Sequence, residues 1–449
     1  MNRTTTCGFA LLFCALAAST VARAEDKLPE QTAKATALVD ALAKSDYAAA
    51  GKDFDDTMRK ALPADKCKEI WQAVVKQVGA FQKRTGSRVE KAGKYDVVFV
   101  ACKFEKLDLD VKVVFSAEKK VTGLSFRAAR SAYDFKPPPY ARPDSYRESE
   151  VVVGSGEWAL PGTLTLPKGE GPFAAAVLVH GSGPHDRDET IGPNKPLRDL
   201  AWGLASQGVA VLRYEKRSHT HGHLMAKDKA AITPDAEVVE DALLAAAALR
   251  KHKEIDGRRV FVVGHSLGAA MAPRIGSRDP SLAGLALLAG NARPLEDLIL
   301  EQMTYIYSLK GELSDEDKEA LDKIKKQVAR VKDPKLTADA PAAELPLGIP
   351  SAYWLALRSY DQTATAAQLK QPLFIAQGER DYQVTMADFE AWKKALASRR
   401  NVTFRSYPKL NHLFMEGENK AKPAEYEKAG HVSRELVDDL AAWIKSQKN

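Results

Sequence analysis

A serine flanked by glycines, Gly264-His265-Ser266-Leu267-Gly268, follows the run Arg259-Val260-Phe261-Val262-Val263 and precedes Ala269-Ala270-Met271. The first run has the composition of a buried strand, and the second reads as the first turn of a helix. A strand-to-helix turn relieved by small residues lifts a hydroxyl above the sheet edge and aims it at the helix N-terminus. A serine hydroxyl is a weak nucleophile alone, so catalysis at Ser266 needs a base and an acid that orients the base. Both types follow. The buried-strand run Pro372-Leu373-Phe374-Ile375-Ala376 leads into Gly378-Glu379-Arg380-Asp381. Two carboxylates, Glu379 and Asp381, thus stand just past a strand's carboxyl end, where open α/β sheets carry functional loops. The alternating run Val402–Tyr407 is followed by Asn411-His412-Leu413-Phe414, and His412 completes the order serine, acid, histidine. Ala176-Val177-Leu178-Val179 runs into His180-Gly181-Ser182-Gly183-Pro184. Backbone N–H groups of such a loop can hold the negative charge that acyl transfer places on a carbonyl oxygen.

The elements that must carry these residues read as an alternation. Strand-like runs fall at Glu150–Val153, Leu160–Leu166, Ala174–His180, Val209–Tyr214, Arg259–Val263, Leu282–Leu288, Pro372–Gln377 and Val402–Tyr407. Helical runs fall at Pro196–Gln207, Asp235–Lys251, Leu267–Ser277, Met386–Ser398 and Ala424–Lys445. The pattern predicts an α/β fold, a mostly parallel eight-stranded sheet with helices on both faces. A long insertion, about 291–370, separates the sixth strand from the acid-bearing one. Its middle, Ser314 to Lys332, is densely charged and helical, acidic at its start and basic toward its end, as the helix dipole favours. Placed at the sheet's carboxyl edge, the insertion is expected to be a helical cap. Its residues Tyr305, Tyr307, Tyr353, Trp354 and Leu355 either line an apolar substrate pocket or pack the cap helices against one another.

From about Arg147 to the C-terminus the chain resembles the α/β-hydrolases, closest to bacterial serine esterases of the dienelactone-hydrolase and serine-aminopeptidase type. The resemblance rests on HGSGPHDRDE (180–189), VAVLRYEKRS (209–218), GHSLG (264–268), GERDYQV (378–384) and LNHLF (410–414). It selects Asp381 over Glu379, because Gly378, Asp381 and Val384 match the family's acid loop. It also implies that the N–H of Leu267 and that of Ser182 or Gly183 form the oxyanion hole. On this footing Ser266 attacks an ester carbonyl, His412 oriented by Asp381 carries the proton, and an acyl-enzyme is hydrolysed with no metal or cofactor. Activity is expected to fall toward acid pH as the base takes up a proton. The family has a small residue after RYEKR, whereas here Ser218 and His219-Thr220-His221-Gly222-His223 follow. Extended alternation sends the three histidines to one side with no carboxylate or thiolate spaced to join them, so a polar active-site rim is expected, not a metal site. A serine peptidase would share the triad, but no charged group to hold a free amine can be assigned. An acyltransferase, or a binding protein with a vestigial site, completes the alternatives.

The N-terminus bears on compartment. Arg3, an apolar stretch from Cys7 to Ala18, and Ala22-Arg23-Ala24 before Glu25-Asp26 have the order of a secretory signal peptide cleaved after Ala24, too short to serve as a membrane anchor. The chain is therefore expected to be exported, periplasmic or secreted. Cleavage takes Lys plus Arg from 66 to 64 against 59 acidic residues, a mild and dispersed excess of about +5 that excludes nucleic acid as a partner. It also leaves two of the four cysteines, Cys67 and Cys102, whose pairing the sequence leaves open. Residues 25–135 read as a small α+β domain. Helical periodicity runs over Pro29–Lys60 and Asp65–Arg84, with Leu38, Leu42, Phe54, Met58, Ile70, Trp71, Val74, Val75 and Val78 as core. Strands are expected at Tyr95–Cys102, Leu109–Phe115 and Val121–Arg127. This segment resembles a domain of unknown function found ahead of exported bacterial hydrolases, which implies no chemistry. Substrate presentation, homodimerisation and stability are the roles open to it. Lys136-Pro137-Pro138-Pro139 begins a stiff linker over 136–146, and the hydrolase-like domain spans 147–449.

Overall fold

The computed structural model describes residues 28–92, 95–128 and 135–447; the segment read as a signal peptide lies outside them. The chain divides into two compact units at residues 130 and 131.

The first unit packs helices Pro29–Ala43 and Ala64–Val78 on a four-stranded antiparallel sheet, β1 (Phe81–Ala92), β2 (Tyr95–Phe104), β3 (Leu109–Phe115) and β4 (Val121–Ala128), in that order. The helical run expected over Pro29–Lys60 breaks into Pro29–Ala43, Tyr47–Ala50 and Asp56–Ala61, and further expectations fail here. The second helix stops at Val78 because Gly79, at φ 84°, turns the chain out of it. Residues 81–92 then form a strand whose mostly polar, exposed residues carry no apolar alternation to read. Ile70, expected in the core, is 39% exposed, whereas Trp71 beside it is buried among Phe81, Phe104 and Phe126. Cys67 and Cys102 are buried free thiols.

The second unit is built on eight strands: β5 (Tyr146–Val153), β6 (Leu160–Pro167), β7 (Phe173–Val179), β8 (Ala210–Tyr214), β9 (Ile255–His265), β10 (Gly284–Leu288), β11 (Leu373–Gly378) and β12 (Val402–Tyr407). Their order across the sheet is β12-β11-β10-β9-β7-β8-β6-β5. β7 to β12 pair in parallel, while β5/β6 and β6/β8 are antiparallel. β7, β8, β10 and β11 are buried along nearly their whole length, as a sheet covered on both faces requires, while the edge strand β12 exposes Arg405 and Ser406. Along β7, Ala175, Val177 and Val179 join one core layer with helices Glu240–Arg250 and Leu267–Arg278. Ala174, Ala176 and Leu178 join the other, with helices Pro196–Ala205 and Arg434–Ser446. Each fully buried valine or leucine contributes about 1.5–3 kcal/mol against the entropy of ordering. The final helix starts later than expected: residues 423–427 form only a short turn, the Gly430 N–H donates to Asn194 Oδ1 at 2.9 Å, and Ser433 caps the helix through the Glu435 N–H. The proline-rich stretch read as a linker is partly packed, with Tyr140 buried and its hydroxyl donating to Val432 O at 2.8 Å.

The insertion is helical, Leu295–Ser308, Asp315–Lys332, Ser351–Arg358 and Gln362–Gln368, and has its own core of Ile299, Val331, Leu336, Leu345 and Trp354. Among the described residues no helix is long and apolar enough to cross a membrane.

Candidate active site

Ser266 sits between β9 and the helix Leu267–Arg278 at φ 52°, ψ −115°. A non-glycine residue held in this region costs on the order of 1–3 kcal/mol and persists only where its surroundings fix it. Here the Ser266 N–H donates to Leu288 O of β10 at 2.9 Å, and its carbonyl accepts from the Ala270 N–H at 3.0 Å. The flanking glycines are sterically required. A Cβ on Gly264 would lie 2.6 Å from Ala269 N, and one on Gly268 would lie 2.6 Å from His180 O. Leu267 is the first residue of the helix, so its N–H has no partner within the helix.

Asp381 follows β11 and is 2% exposed. Its Oδ1 accepts the N–H groups of Gln383 and Val384, at 2.7 and 3.1 Å, and its Oδ2 receives Gln377 Nε2 at 3.1 Å. The same Oδ2 lies 2.6 Å from His412 Nδ1 in a buried pair. Glu379 is exposed and accepts the Ser406 hydroxyl at 2.9 Å. His412 rides on a loop held from two sides. Asn411 Oδ1 accepts the N–H groups of Leu413 and Met415, and buried Arg380 donates to Asn419 O, Glu418 O and both oxygens of Glu425. A carboxylate on Nδ1 fixes the tautomer that leaves Nε2 free to accept a proton.

The loop after β7 is clamped at Gly181. Its N–H donates to Glu189 Oε1 at 2.6 Å, and its carbonyl accepts Lys216 Nζ at 2.7 Å. The Gly181 N–H is thereby taken up by Glu189. Gly183 stands at φ 96°, and the Ser182 carbonyl is held by His185 Nε2 at 2.6 Å. A Cβ on Gly181 would lie 3.2 Å from Ser266 Cβ, so the loop and the serine are neighbours. Three groups absent from the expected site are built into it: Glu189, Lys216 and His265. All were visible inside the matched segments, but nothing in their spacing says that they meet.

The cap residues divide. Trp354 is fully buried in the cap's own core and lines no open surface, and Leu355 packs against that core. Tyr353 is buried and donates to Glu237 Oε2 at 2.9 Å; Glu237 in turn faces Lys216 Nζ at 3.5 Å. Tyr307 stands beneath Lys310. Tyr305 reaches the site's border: its hydroxyl donates to Ala421 O at 2.9 Å, and its ring lies tilted by 33° at 5.3 Å from that of Tyr382, the neighbour of Asp381. The histidine run is not extended. Arg217–Thr220 and Gly222–Met225 are single helical turns, so the alternation to one side does not arise. His219 faces Glu215, and His221 bonds Ala159 O and stands edge-on to Trp158.

A serine raised on a strand–helix turn over a mixed α/β sheet, whose neighbour His265 lies against the histidine of a buried histidine–carboxylate pair, defines the class of α/β-fold serine hydrolases. Residues 171–419 match the family described as serine aminopeptidase, S33, and residues 35–124 match a family of unknown function, DUF3887. Esterase EstD of Thermotoga maritima is 38% identical over 389 residues, covering 86% of this chain and 89% of that protein. The chain belongs to the serine aminopeptidase S33 family, among its esterase-type α/β-hydrolases. Solved structures that it resembles include a dienelactone hydrolase from Anabaena variabilis, at 15% identity and TM-score 0.40 over 68% of this chain and 100% of that one. An esterase of Pyrococcus furiosus is 16% identical with TM-score 0.42, over 68% of this chain and 92% of that one.

Proposed function

We propose that this chain is an exported serine hydrolase that cleaves carboxylic esters, with Ser266, His412 and Asp381 as nucleophile, base and orienting acid. The observation that carries the reading is the 2.6 Å pair between His412 Nδ1 and Asp381 Oδ2 beside a serine at φ 52°. Ser266 Oγ attacks the ester carbonyl while His412 Nε2 takes its proton. The oxyanion is met by the N–H groups of Leu267 and of Ser182 or Gly183. His412 then gives the proton to the leaving alcohol, an acyl-serine remains, and a water activated by the same histidine releases the acid. No step calls for a metal or cofactor. The likeness to an esterase over most of the chain supports an ester substrate, and Tyr305 beside Tyr382 supports an acyl or alcohol pocket under the cap. The order of residues 1–24 supports export.

The test is fluorophosphonate labelling of the mature chain beside Ser266→Ala, with the adduct located by mass spectrometry. The expected result is a label on Ser266 and hydrolysis of short p-nitrophenyl esters, both absent in the variant. A folded chain that takes no label overturns the assignment. Faster turnover of aminoacyl anilides than of esters replaces esterase with peptidase.

A further inference from the structure

The residue before the nucleophile, His265, is buried, with 6% of its side chain exposed, and Glu189 opposite it is 1% exposed. Its Nδ1 lies 2.9 Å from Glu189 Oε2, and its Nε2 lies 2.9 Å from the carbonyl oxygen of His412. A carbonyl can only accept a hydrogen bond, and so can an ionised carboxylate. A neutral imidazole has one N–H and satisfies one of these partners; only an imidazolium satisfies both. The same distances fit a neutral pair with the proton on Glu189. Intrinsic acidities, about 4.3 for glutamate and 6.5 for histidine, place the proton on the ring. The Gly181 N–H donating to the other carboxylate oxygen at 2.6 Å favours the anion further.

We propose that His265 is a standing imidazolium, paired with Glu189, and that this buried pair positions the oxyanion loop and the base His412 as one unit around Ser266. Three distant stretches of chain converge on it. Glu189 holds Gly181 at the head of the loop, His265 adjoins the nucleophile, and its Nε2–H holds the backbone of His412. The His265 and His412 rings lie 4.8 Å apart between centroids, inclined by 51°. Around the pair stand Asp381 on the side of the base, and His180, His185 and Lys216 on the side of the loop. Burial pushes His180 down to about 3 and His185 below its ordinary range, so both are neutral and do not compete for Glu189. Burial would also depress His265, but the adjoining Glu189 charge and hydrogen bond lift it above the usual histidine range. His265 and Glu189 therefore act through other groups, as positioning residues. When His265 loses its proton at high pH, one of its two hydrogen bonds must go, and the base or the loop is released.

The role in turnover rests on the proposed esterase chemistry, but the protonation state does not. In the mature chain labelled with ¹⁵N-histidine, one ring with both nitrogens protonated should persist at pH 8. It should vanish in His265→Gln and become a neutral ring in Glu189→Gln, where the amide keeps the shape without the charge. A neutral His265 ring in the wild type at pH 8 overturns the proposal, whether or not the protein hydrolyses esters. In p-nitrophenyl acetate hydrolysis, normalised to sites titrated by fluorophosphonate, both variants should lose about 10- to 100-fold in kcat with little change in KM, less than loss of an oxyanion donor can cost. The alkaline limb of Glu189→Gln should move to lower pH. Unchanged kcat and pH profile in both variants also overturn the positioning role.

Discussion

Gly268→Ala tests whether the turn at Ser266 is as tightly built as its surroundings imply. A Cβ at this position would fall 2.6 Å from His180 O and closer still to Val179 O, the end of β7. Ordinary contact needs about 3.4 Å, so one side must yield by the better part of an ångström. Neither carbonyl belongs to a flexible side chain. Moving His180 O moves Gly181, whose peptide is pinned on both sides by Glu189 and Lys216. Overpacking of this kind costs about 1–3 kcal/mol, partly offset by the roughly 1 kcal/mol that alanine gains over glycine in a helix. The catalytic cost should be larger, since a misplacement of about 1 Å can lower a rate about 100-fold. Gly203→Ala is the control. Its Cβ would meet Val437 Cγ1 at 2.5 Å and Tyr140 Cε2 at 2.9 Å, side chains of the opposite core layer and not backbone of the serine turn. Thermal melts and p-nitrophenyl acetate kinetics should show both variants modestly destabilised, with kcat per folded molecule lost in Gly268→Ala alone. If Gly268→Ala keeps kcat within about twofold of wild type, or Gly203→Ala loses as much, the argument from backbone crowding is wrong.

Other expectations can be checked alongside. Lys216→Met removes the donor to Gly181 O and leaves Glu237 facing no cation; melts should show a loss of about 3–5 kcal/mol, with kcat reduced in whatever folds. Burial raises the Cys67 thiol and pushes Cys102 up to about 12. A thiol reagent at pH 8 should therefore find neither in the native protein and both in denaturant, and a masked disulfide would show as two missing equivalents. Because the folded pKa of His265 is raised, its contribution to stability is complete below the unfolded value of about 6.5 and is lost as pH rises toward the folded one. Tm should fall over that alkaline window in the wild type and less steeply in His265→Gln; identical slopes would contradict the linkage.

Much of the sheet was legible because parallel strands buried on both faces must be short apolar runs, and Val260 to Val263 or Leu373 to Ala376 can hardly be anything else. Strand β1 was not, since its exposed polar residues carry no periodic signal and only pairing with β2 makes it a strand. Ser266, Asp381 and His412 could be picked out because each follows a readable strand in a required order. Glu189, Lys216 and His265 could not, although they stand in the same segments, because their meaning lies in contacts between loops that local sequence does not encode. Trp354 stayed open between pocket and packing for a related reason: an aromatic in such an insertion looks the same whether it faces a substrate or its own helix bundle.

The separate core of the cap has an evolutionary consequence. Ile299, Val331, Leu336, Leu345 and Trp354 bury one another without drawing on the strands below. Substitutions within that cluster can thus reshape the insertion while the sheet and the turn at Ser266 keep their geometry. A lineage can vary the insertion at that cluster while Tyr353 and Tyr305 keep their contacts with Glu237 and Ala421, and the chemistry beneath need not be invented again.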